Sequence, residues 1–190
     1  LAALPSHAAG EIFSHPETIL AGVVAPRGKA LAVDGGFRVD GQWQWGSGSQ
    51  NADWILAGCQ VMRGGEPELL RNGAIRTRMV LVPASQVQFL DTWYVSGLSG
   101  SGSTDFAIRD VFVPEDHALS LGVDGPLPRP LYQFPQFGLL GMGIAAVALG
   151  LARAAIDELV ELAGAKTSTG ASRTLANRPG TQSEVALAEA

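Results

Sequence analysis

Cysteine and histidine are scarce in this chain of 190 residues, which has one cysteine and three histidines. A single cysteine, Cys59, excludes an internal disulfide and a cysteine-based metal cluster, and it is consistent with a reducing cytoplasm. The histidines, at positions 7, 15 and 117, lie in loop-like contexts without a second ligand at metal spacing. The sequence therefore predicts no metal site, and Cys59 is expected to be a small buried strand residue.

Runs of basic residues are also absent, and the formal net charge is −5 with a pI near 5.1. This charge pattern argues against a nucleic-acid surface and against a polybasic membrane patch. The N-terminus has neither an initiator Met nor a charged region followed by an apolar run, so no signal peptide is predicted. Because the chain also stops inside a helical pattern, we expect it to be a fragment of a longer cytoplasmic protein.

One uncharged segment, residues 131–152, is long enough to raise the question of a membrane span. Gln133, Pro135 and Gln136 make its start polar, and its apolar part is rich in alanine and glycine. We therefore interpret this segment as a helix that is covered by other helices rather than by lipid.

Short β segments separated by turn residues dominate the chain from Lys29. Strands are predicted over residues 30–33, 37–39, 42–45, 54–61, 76–82, 87–94 and 105–113, and the strands at 54–61 and 76–82 form a long hairpin. This spacing predicts a closed or sandwiched antiparallel β-domain, a barrel or a sandwich. Helical periodicity follows from Gln136 to Leu162, and a second helix is predicted from Gln182 onward.

The predicted fold class is therefore α+β, with a β-domain followed by part of a helical bundle. Its predicted parts are a lead-in segment over residues 1–28, the β-domain over 29–114, a proline-containing linker over 115–135 and the partial bundle over 136–190. Residues 1–25 of the lead-in segment are interpreted as loop with room for a short helical turn.

The segment from Asp40 to Trp54 contains three of the chain's four tryptophans and two short glycine steps. If Asp40-Gly41 forms a tight turn, the strand that follows places Trp43 and Trp45 on the same face. The small residues from Gly46 to Ser49 would then offer free hydroxyl and amide N–H groups next to that aromatic wall. This combination suits a flat heterocycle such as flavin, whereas the plain alternative is a β-sheet core with ordinary tryptophans and a glycine-rich turn.

Other chemical motifs are weak or missing. No glycine-rich motif follows a strand and opens a helix, so neither a Rossmann site nor a Walker loop is predicted. The Gly46-Ser47-Gly48 step resembles a nucleophile elbow only superficially, which makes a serine hydrolase a weak third hypothesis. The acids Glu115 and Asp116 follow a proline at a strand end and are interpreted as a solvated turn or a helix cap.

Three blocks of the sequence resemble the acyl-CoA dehydrogenase superfamily, in its middle β-domain and the first helices of its C-terminal domain. The first runs from Gly35 to Gly48 and continues to Ala52-Asp53-Trp54, and it resembles the family's flavin motif. The second includes residues 91–103 and ends at Val113-Pro114, like the family's later strands. The third is Gly150-Leu151-Ala152-Arg153 with Lys166 and Gln182. The resemblance covers nearly all of the chain, while the family's N-terminal helical domain is absent.

The resemblance implies a bound flavin, either FAD or FMN, and the residues assigned to it are Trp45, Gly46, Ser47, Gly48 and Lys166. Trp45 would lie beside the isoalloxazine ring, and Ser47 would act catalytically by donating a hydrogen bond near the N5 edge. Lys166 occupies the place of a family arginine and would meet a flavin phosphate as a point charge. A homotetramer is likewise expected from the resemblance.

Within the superfamily, the sequence is more similar to the flavin-dependent monooxygenases than to the dehydrogenases. The Thr-Glu-Pro stretch and the Arg-Pro pair typical of the dehydrogenases are replaced by Leu4-Pro5-Ser6 and by the uncharged residues 133–136. The resemblance implies a two-component enzyme that takes reduced flavin from a separate reductase and forms a C4a-(hydro)peroxyflavin. It would hydroxylate an aromatic or heteroatom-containing small molecule. The alternatives are an acyl-CoA dehydrogenase and a non-catalytic fragment, because the family's catalytic base would lie beyond Ala190.

Overall fold

The computed structural model describes residues 2–121, 125 and 128–189, and the chain divides into two compact units. The β-unit is Leu1–Pro128 and the helical unit is Arg129–Ala190. This division falls within the predicted linker 115–135, of which residues 122–124 and 126–127 lie outside the described residues.

Among its described residues, the β-unit contains one short α-helix, α1, at Ser6–Ile12, and eight strands. The strands are β1 Leu20–Val33, β2 Gly36–Trp43, β3 Trp54–Arg63, β4 Glu66–Pro67, β5 Thr77–Pro83, β6 Gln88–Leu90, β7 Asp105–Pro114 and β8 Ala118–Leu119. They form one sheet in the order β6-β7-β2-β1-β3-β5-β8, with β4 paired to β3. The sheet is not closed into a barrel, since β6 and β8 stand at its two ends.

The α+β class is confirmed, and so is the long hairpin, which pairs β3 with β5 in antiparallel register. The strand pairing is mixed rather than wholly antiparallel, because β1 runs parallel to β3 from the Leu20–Trp54 pair to the Leu31–Met62 pair. These two strands lie at the centre of the sheet, so most of the remaining strands are arranged around the parallel pair.

Two strand predictions are corrected by the structure. Residues 20–28 are not loop but the first part of β1, and the register of that strand shifts between Val23 and Gly28. The shift, around Pro26, interrupts the alternation by which a strand is recognised in a sequence. The strand predicted over 87–94 is shortened to Gln88–Leu90.

The sheet has a hydrophobic cluster on each face. Strand β5 shows this clearly, because Val80 and Val82 belong to the larger cluster while Met79 and Leu81 belong to the smaller one. The smaller cluster also contains Ile12 of α1, so this helix covers that face of the sheet. Cys59 lies in the larger cluster with no exposed surface, as predicted for it.

Two histidine–carboxylate pairs hold α1 against the turn that follows β7. Nε2 of His7 lies 2.5 Å from Oδ2 of Asp116. Nε2 of His117 lies 3.3 Å from Oε2 of Glu11, and the nearly buried His117 ring makes a T-shaped contact with Trp54. The acids predicted as a solvated turn or cap thus include one, Asp116, that anchors a helix.

The pairing of Asp116 with His7 predicts a loss of stability in acid. The hydrogen bond from His7 lowers the pKa of the Asp116 carboxyl below its ordinary value. A carboxyl whose pKa is lower in the folded state stabilises the fold above its unfolded pKa, near 4, and this contribution is lost as the pH falls through the folded pKa. We expect the free energy of unfolding of Asp116→Asn to fall less between pH 5 and pH 3 than that of the wild type, as measured by urea denaturation.

A matched control for this measurement is Asp34→Asn, in the exposed turn between β1 and β2. The control is expected to follow the wild-type pH profile. If Asp116→Asn and Asp34→Asn give the same profile, the carboxyl of Asp116 does not contribute to acid sensitivity.

The helical unit consists of α2 at Gln136–Ala165 and α3 at Pro179–Glu189, as predicted from the periodicity. Arg153 of α2 donates two hydrogen bonds, of 2.5 and 2.6 Å, to the Glu189 carboxylate of α3. Most apolar side chains of α2 are exposed in the chain as it stands, and the segment Phe137–Ala165 is long and apolar enough to cross a membrane by length and composition alone. An apolar helix of this kind requires a cover, which the two described helices do not supply.

Candidate functional site

The candidate site begins where β2 ends at Trp43. The indole of Trp43 has no exposed surface, stacks on Phe106 with ring centroids 5.2 Å apart, and donates a hydrogen bond of 2.8 Å from Nε1 to the Gly58 carbonyl. Space for this large ring exists because Gly28 and Gly41 beside it have no Cβ. The buried tryptophan therefore fixes the end of the strand from which the site loop departs.

Trp45 has a different environment, and the predicted shared face for Trp43 and Trp45 is wrong. Asp40-Gly41 does not form a turn but a bulge inside β2, where the register against β7 shifts. The chain then leaves the strand, and Trp45 adopts a φ of 63° with 70% of its side chain exposed. A non-glycine residue rarely adopts this backbone region, and such strain is concentrated at functional positions. One tryptophan therefore supports the core, and the other is exposed at the surface.

The residues Gly46, Ser47 and Gly48 form a small loop that is hydrogen-bonded to the chain before β7. The Gly46 N–H donates to the Thr104 carbonyl over 2.9 Å, and the Gly48 N–H donates to the Ser101 carbonyl over 3.0 Å. The N–H of Ser47 donates to the carbonyl of Trp45. These three amides are therefore not free to bind a ligand, contrary to the prediction, and the polar side chain that this loop exposes is the hydroxyl of Ser47.

Glycine occupies positions 46 and 48 of this loop for two different structural reasons. A Cβ on Gly46 would lie 2.9 Å from Cδ1 of Phe106 and 3.0 Å from Oγ of Ser49, so only glycine fits there without a shift of the neighbours. Gly48 has a φ of 71°, in the left-handed region, and open space where a Cβ would be. Together they hold Ser47 exposed at the tip of the loop.

The Ser47 hydroxyl is the outer end of a row of hydrogen bonds, which we call the hydroxyl chain. Oγ of Ser47 lies 2.7 Å from Oγ of Ser103, and Oγ of Ser103 lies 2.7 Å from Oγ of Ser101. Ser101 in turn donates to the Leu98 carbonyl over 2.8 Å. Ser103 is 5% exposed, so the hydroxyl chain runs from the surface at Ser47 to a buried hydroxyl at Ser103.

Ser101 and Ser103 were not predicted from the sequence as site residues. The available signal was the pairing of β2 with β7, in which Trp43 lies opposite Phe106. Continuing this antiparallel register brings the residues after Trp43 to those just before Asp105, which are the small residues of the second block. The strands were predicted, but their pairing was not.

Lys166 lies in the helical unit, at the end of α2, whereas Trp45 and Ser47 lie in the β-unit. Its N–H donates to the Leu162 carbonyl, and its own carbonyl accepts from the Leu175 N–H over 2.9 Å. A bridge between Thr167 and Thr174 follows, so Lys166 stands at the open end of a short hairpin-like loop. Its side chain is exposed, and its predicted contact with a phosphate stays a prediction.

A metal centre has no support in the described part of the chain, where no three histidine, cysteine, aspartate or glutamate side chains form a group that could hold an ion. An organic cofactor fits the loop better. Trp45 and Ser47 are two residues apart in the sequence and both are exposed, so the loop offers a flat apolar ring and one hydroxyl.

Residues 142–190 match the family model described as "Acyl-CoA dehydrogenase, C-terminal domain". Indole-3-acetate monooxygenase of Pseudomonas putida is 36% identical over 191 residues, covering 100% of this chain and 47% of that protein. The oxygenase subunit HsaA of a flavin-dependent monooxygenase of Mycobacterium tuberculosis is 33% identical over 157 residues, covering 78% of this chain and 38% of that protein. The chain thus spans about half the length, or less, of these relatives.

Solved structures agree with these matches. XiaF from a Streptomyces species, in complex with FADH2 and glycerol, superposes with a TM-score of 0.84 at 28% identity over 98% of this chain and 48% of that one. The recognition made from the sequence is confirmed: the chain is a relative of the acyl-CoA dehydrogenase superfamily and has the fold of its middle β-domain and first C-terminal helices. Within that superfamily, its relatives are flavin-dependent monooxygenases.

Proposed function

We propose that this chain is the flavin-binding half of a two-component flavin-dependent monooxygenase, an oxidoreductase that hydroxylates an aromatic or heteroatom-containing small molecule. The observation that carries the proposal is the strained, exposed Trp45, two residues before the exposed Ser47, in a chain whose relatives are named as flavin-dependent monooxygenases. The name of one relative, an oxygenase subunit, supports a separate flavin reductase as partner.

The residues of the site have complementary roles in holding reduced FAD or FMN. Trp45 covers one face of the isoalloxazine ring and excludes water from it, and the Ser47 hydroxyl meets its N5 edge. Gly46 and Gly48 hold the loop in the shape that presents these two side chains. Lys166 binds a flavin phosphate, and by analogy with the family this flavin is held by a neighbouring subunit of a tetramer. When bound, reduced flavin supplies the electrons that activate oxygen.

The contribution of this chain to the reaction is binding, orientation and exclusion of water. The hydroxyl chain fixes the position of the Ser47 proton, because Oγ of Ser47 is hydrogen-bonded to the nearly buried Ser103. The exposed apolar surface of α2 would be covered by helices of the same bundle and by other subunits of a soluble, cytoplasmic enzyme.

The other candidate functions have less support. A hydrolase would need a base beside the Ser47 hydroxyl, but within the described residues its side-chain partner is another serine. An acyl-CoA dehydrogenase shares the fold, but the relatives above are named for oxygenation. A non-catalytic fragment would leave the strain at Trp45 without a purpose.

The proposal is tested by anaerobic titration of the full-length protein with reduced and with oxidised FAD and FMN, followed by an oxygen pulse. We expect reduced flavin to bind more tightly than oxidised flavin, and we expect an oxygen-dependent spectral transient before reoxidised flavin appears. Tightly held oxidised FAD that is bleached by an acyl-CoA would instead indicate a dehydrogenase. Absence of binding by either flavin would contradict the proposed function.

A further inference from the structure

The hydroxyl chain has a preferred direction because it ends on a carbonyl. A hydroxyl has one proton to donate and two lone pairs that accept, whereas a carbonyl oxygen only accepts. Ser101 lies 2.8 Å from the Leu98 carbonyl, so the proton of Ser101 is directed to that oxygen. Ser103, 2.7 Å from Ser101, must then donate to Ser101, and Ser47 must donate to Ser103.

The opposite direction is less favourable. If Ser101 donated to Ser103 and Ser103 donated to Ser47, the oxygens of Ser101 and Leu98 would face each other at 2.8 Å without a proton between them. Three protons would then make two hydrogen bonds within the chain instead of three. A lost hydrogen bond between such partially buried groups costs about 1 kcal/mol, and the unbridged oxygens add to this cost.

The consequence concerns what Ser47 offers to a ligand. Its only proton is used on Ser103, so its exposed oxygen presents lone pairs and acts as an acceptor. Reduced flavin carries a hydrogen on N5 and donates there, whereas oxidised flavin has a bare N5 that only accepts. Ser47 therefore pairs with the reduced ring and opposes the oxidised one, which reverses the donor role that the family resemblance suggested for it.

We propose that Ser101 and Ser103 are positioning residues, which orient the Ser47 hydroxyl as an acceptor and so make the site select reduced over oxidised flavin. This inference rests on the proposed function, because it requires the flavin N5 to meet Ser47. Ser101 is the more informative of the two, since it reaches Ser47 only through Ser103 and ends the chain on the carbonyl.

The test is the ratio of the dissociation constants of oxidised and reduced FMN, and of the two forms of FAD, measured anaerobically on the full-length protein. In Ser103→Ala the Ser47 hydroxyl loses its partner, and in Ser101→Ala the Ser103 hydroxyl can donate to Ser47 instead of accepting from it. In both variants Ser47 can donate to a bare N5. We expect this ratio to fall roughly five- to tenfold in either variant, as one hydrogen bond of ordinary strength predicts. The midpoint potential of the bound flavin should fall accordingly, relative to the wild type, because the preference for the reduced form is weaker, and this gives a second readout that is independent of turnover.

A double-mutant cycle separates orientation from general damage. In the Ser47→Ala background there is no hydroxyl to orient, so adding Ser101→Ala should leave the ratio unchanged. Ser99→Ala, on the same loop and exposed, is the matched control and should keep the wild-type ratio. If Ser103→Ala fails to fold because its site is buried, the ratio measured for Ser101→Ala alone tests the inference.

The possible failures are distinguishable. If the wild type binds flavin but Ser101→Ala and Ser103→Ala keep its ratio, this inference is overturned while the proposed function stands. The inference is overturned in the same way if Ser101→Ala lowers the ratio equally with and without the Ser47 hydroxyl. If the wild type binds neither form of flavin, the proposed function and this inference fail together.

Discussion

A Trp45→Ala variant is expected to lose flavin affinity and keep the stability of the β-unit, whereas Trp43→Ala is expected to lose stability. Trp45 is 70% exposed, so its removal leaves no cavity and should change the free energy of unfolding by less than about 0.5 kcal/mol. Loss of its contact with a flavin face should weaken binding roughly tenfold or more. Trp43 has no exposed surface, and its replacement by alanine should cost about 3–5 kcal/mol.

Urea denaturation and flavin titration of the two variants check this pair of expectations. The two tryptophans are two positions apart in the sequence, so each variant serves as the control for the other. Equal loss of stability and of affinity in Trp45→Ala would mean that its indole is part of the fold rather than a wall of the site.

The second large effect is expected for Gly28→Ala, in the centre of the sheet. A Cβ at this position would overlap the Trp43 ring and lie 2.9 Å from Sγ of Cys59. Both neighbours are fully buried, so the ring cannot move aside without loss of its hydrogen bond to Gly58. We expect the variant to be destabilised by about 3 kcal/mol, at the upper end of the usual cost of overpacking.

Gly10→Ala is the matched control for this substitution. Gly10 lies in α1, where a Cβ meets open space, so alanine should stabilise the protein by about 0.5–1 kcal/mol through the lower entropy of its unfolded chain. Thermal and urea unfolding of both variants, compared with the wild type, should show a lower free energy of unfolding for Gly28→Ala and a higher one for Gly10→Ala. A Gly28→Ala protein as stable as the wild type would show that the Trp43 ring has room to shift.

The elements with uniform patterns were predictable from the sequence. Strands β3 and β5 are largely apolar runs bounded by turn residues, and α2 has an unbroken helical periodicity, so their positions agree with the structure to within a few residues. The start of β1 was missed because a register shift breaks its alternation. Asp40-Gly41 was mistaken for a turn because a bulge and a turn use the same residue types.

The candidate site was only partly predictable. The identities of Trp45 and Ser47 came from a resemblance in sequence, but the left-handed backbone of Trp45 is imposed by how the chain leaves β2. Ser101 and Ser103 are more than fifty positions away from Ser47, and their contact depends on the pairing of β2 with β7. A single sequence contains the residues of such a contact but not the register that creates it.

The rate at which Cys59 is alkylated can measure how often the β-unit opens. It is the chain's one thiol, it lies without exposed surface in β3, and burial raises its pKa to about 12. Because thiolate is the reactive form, an alkylating reagent at neutral pH should modify Cys59 only in molecules whose sheet has transiently separated. The labelling rate would therefore report the local free energy of opening, and its slowing by added flavin would measure how strongly the ligand holds the sheet together.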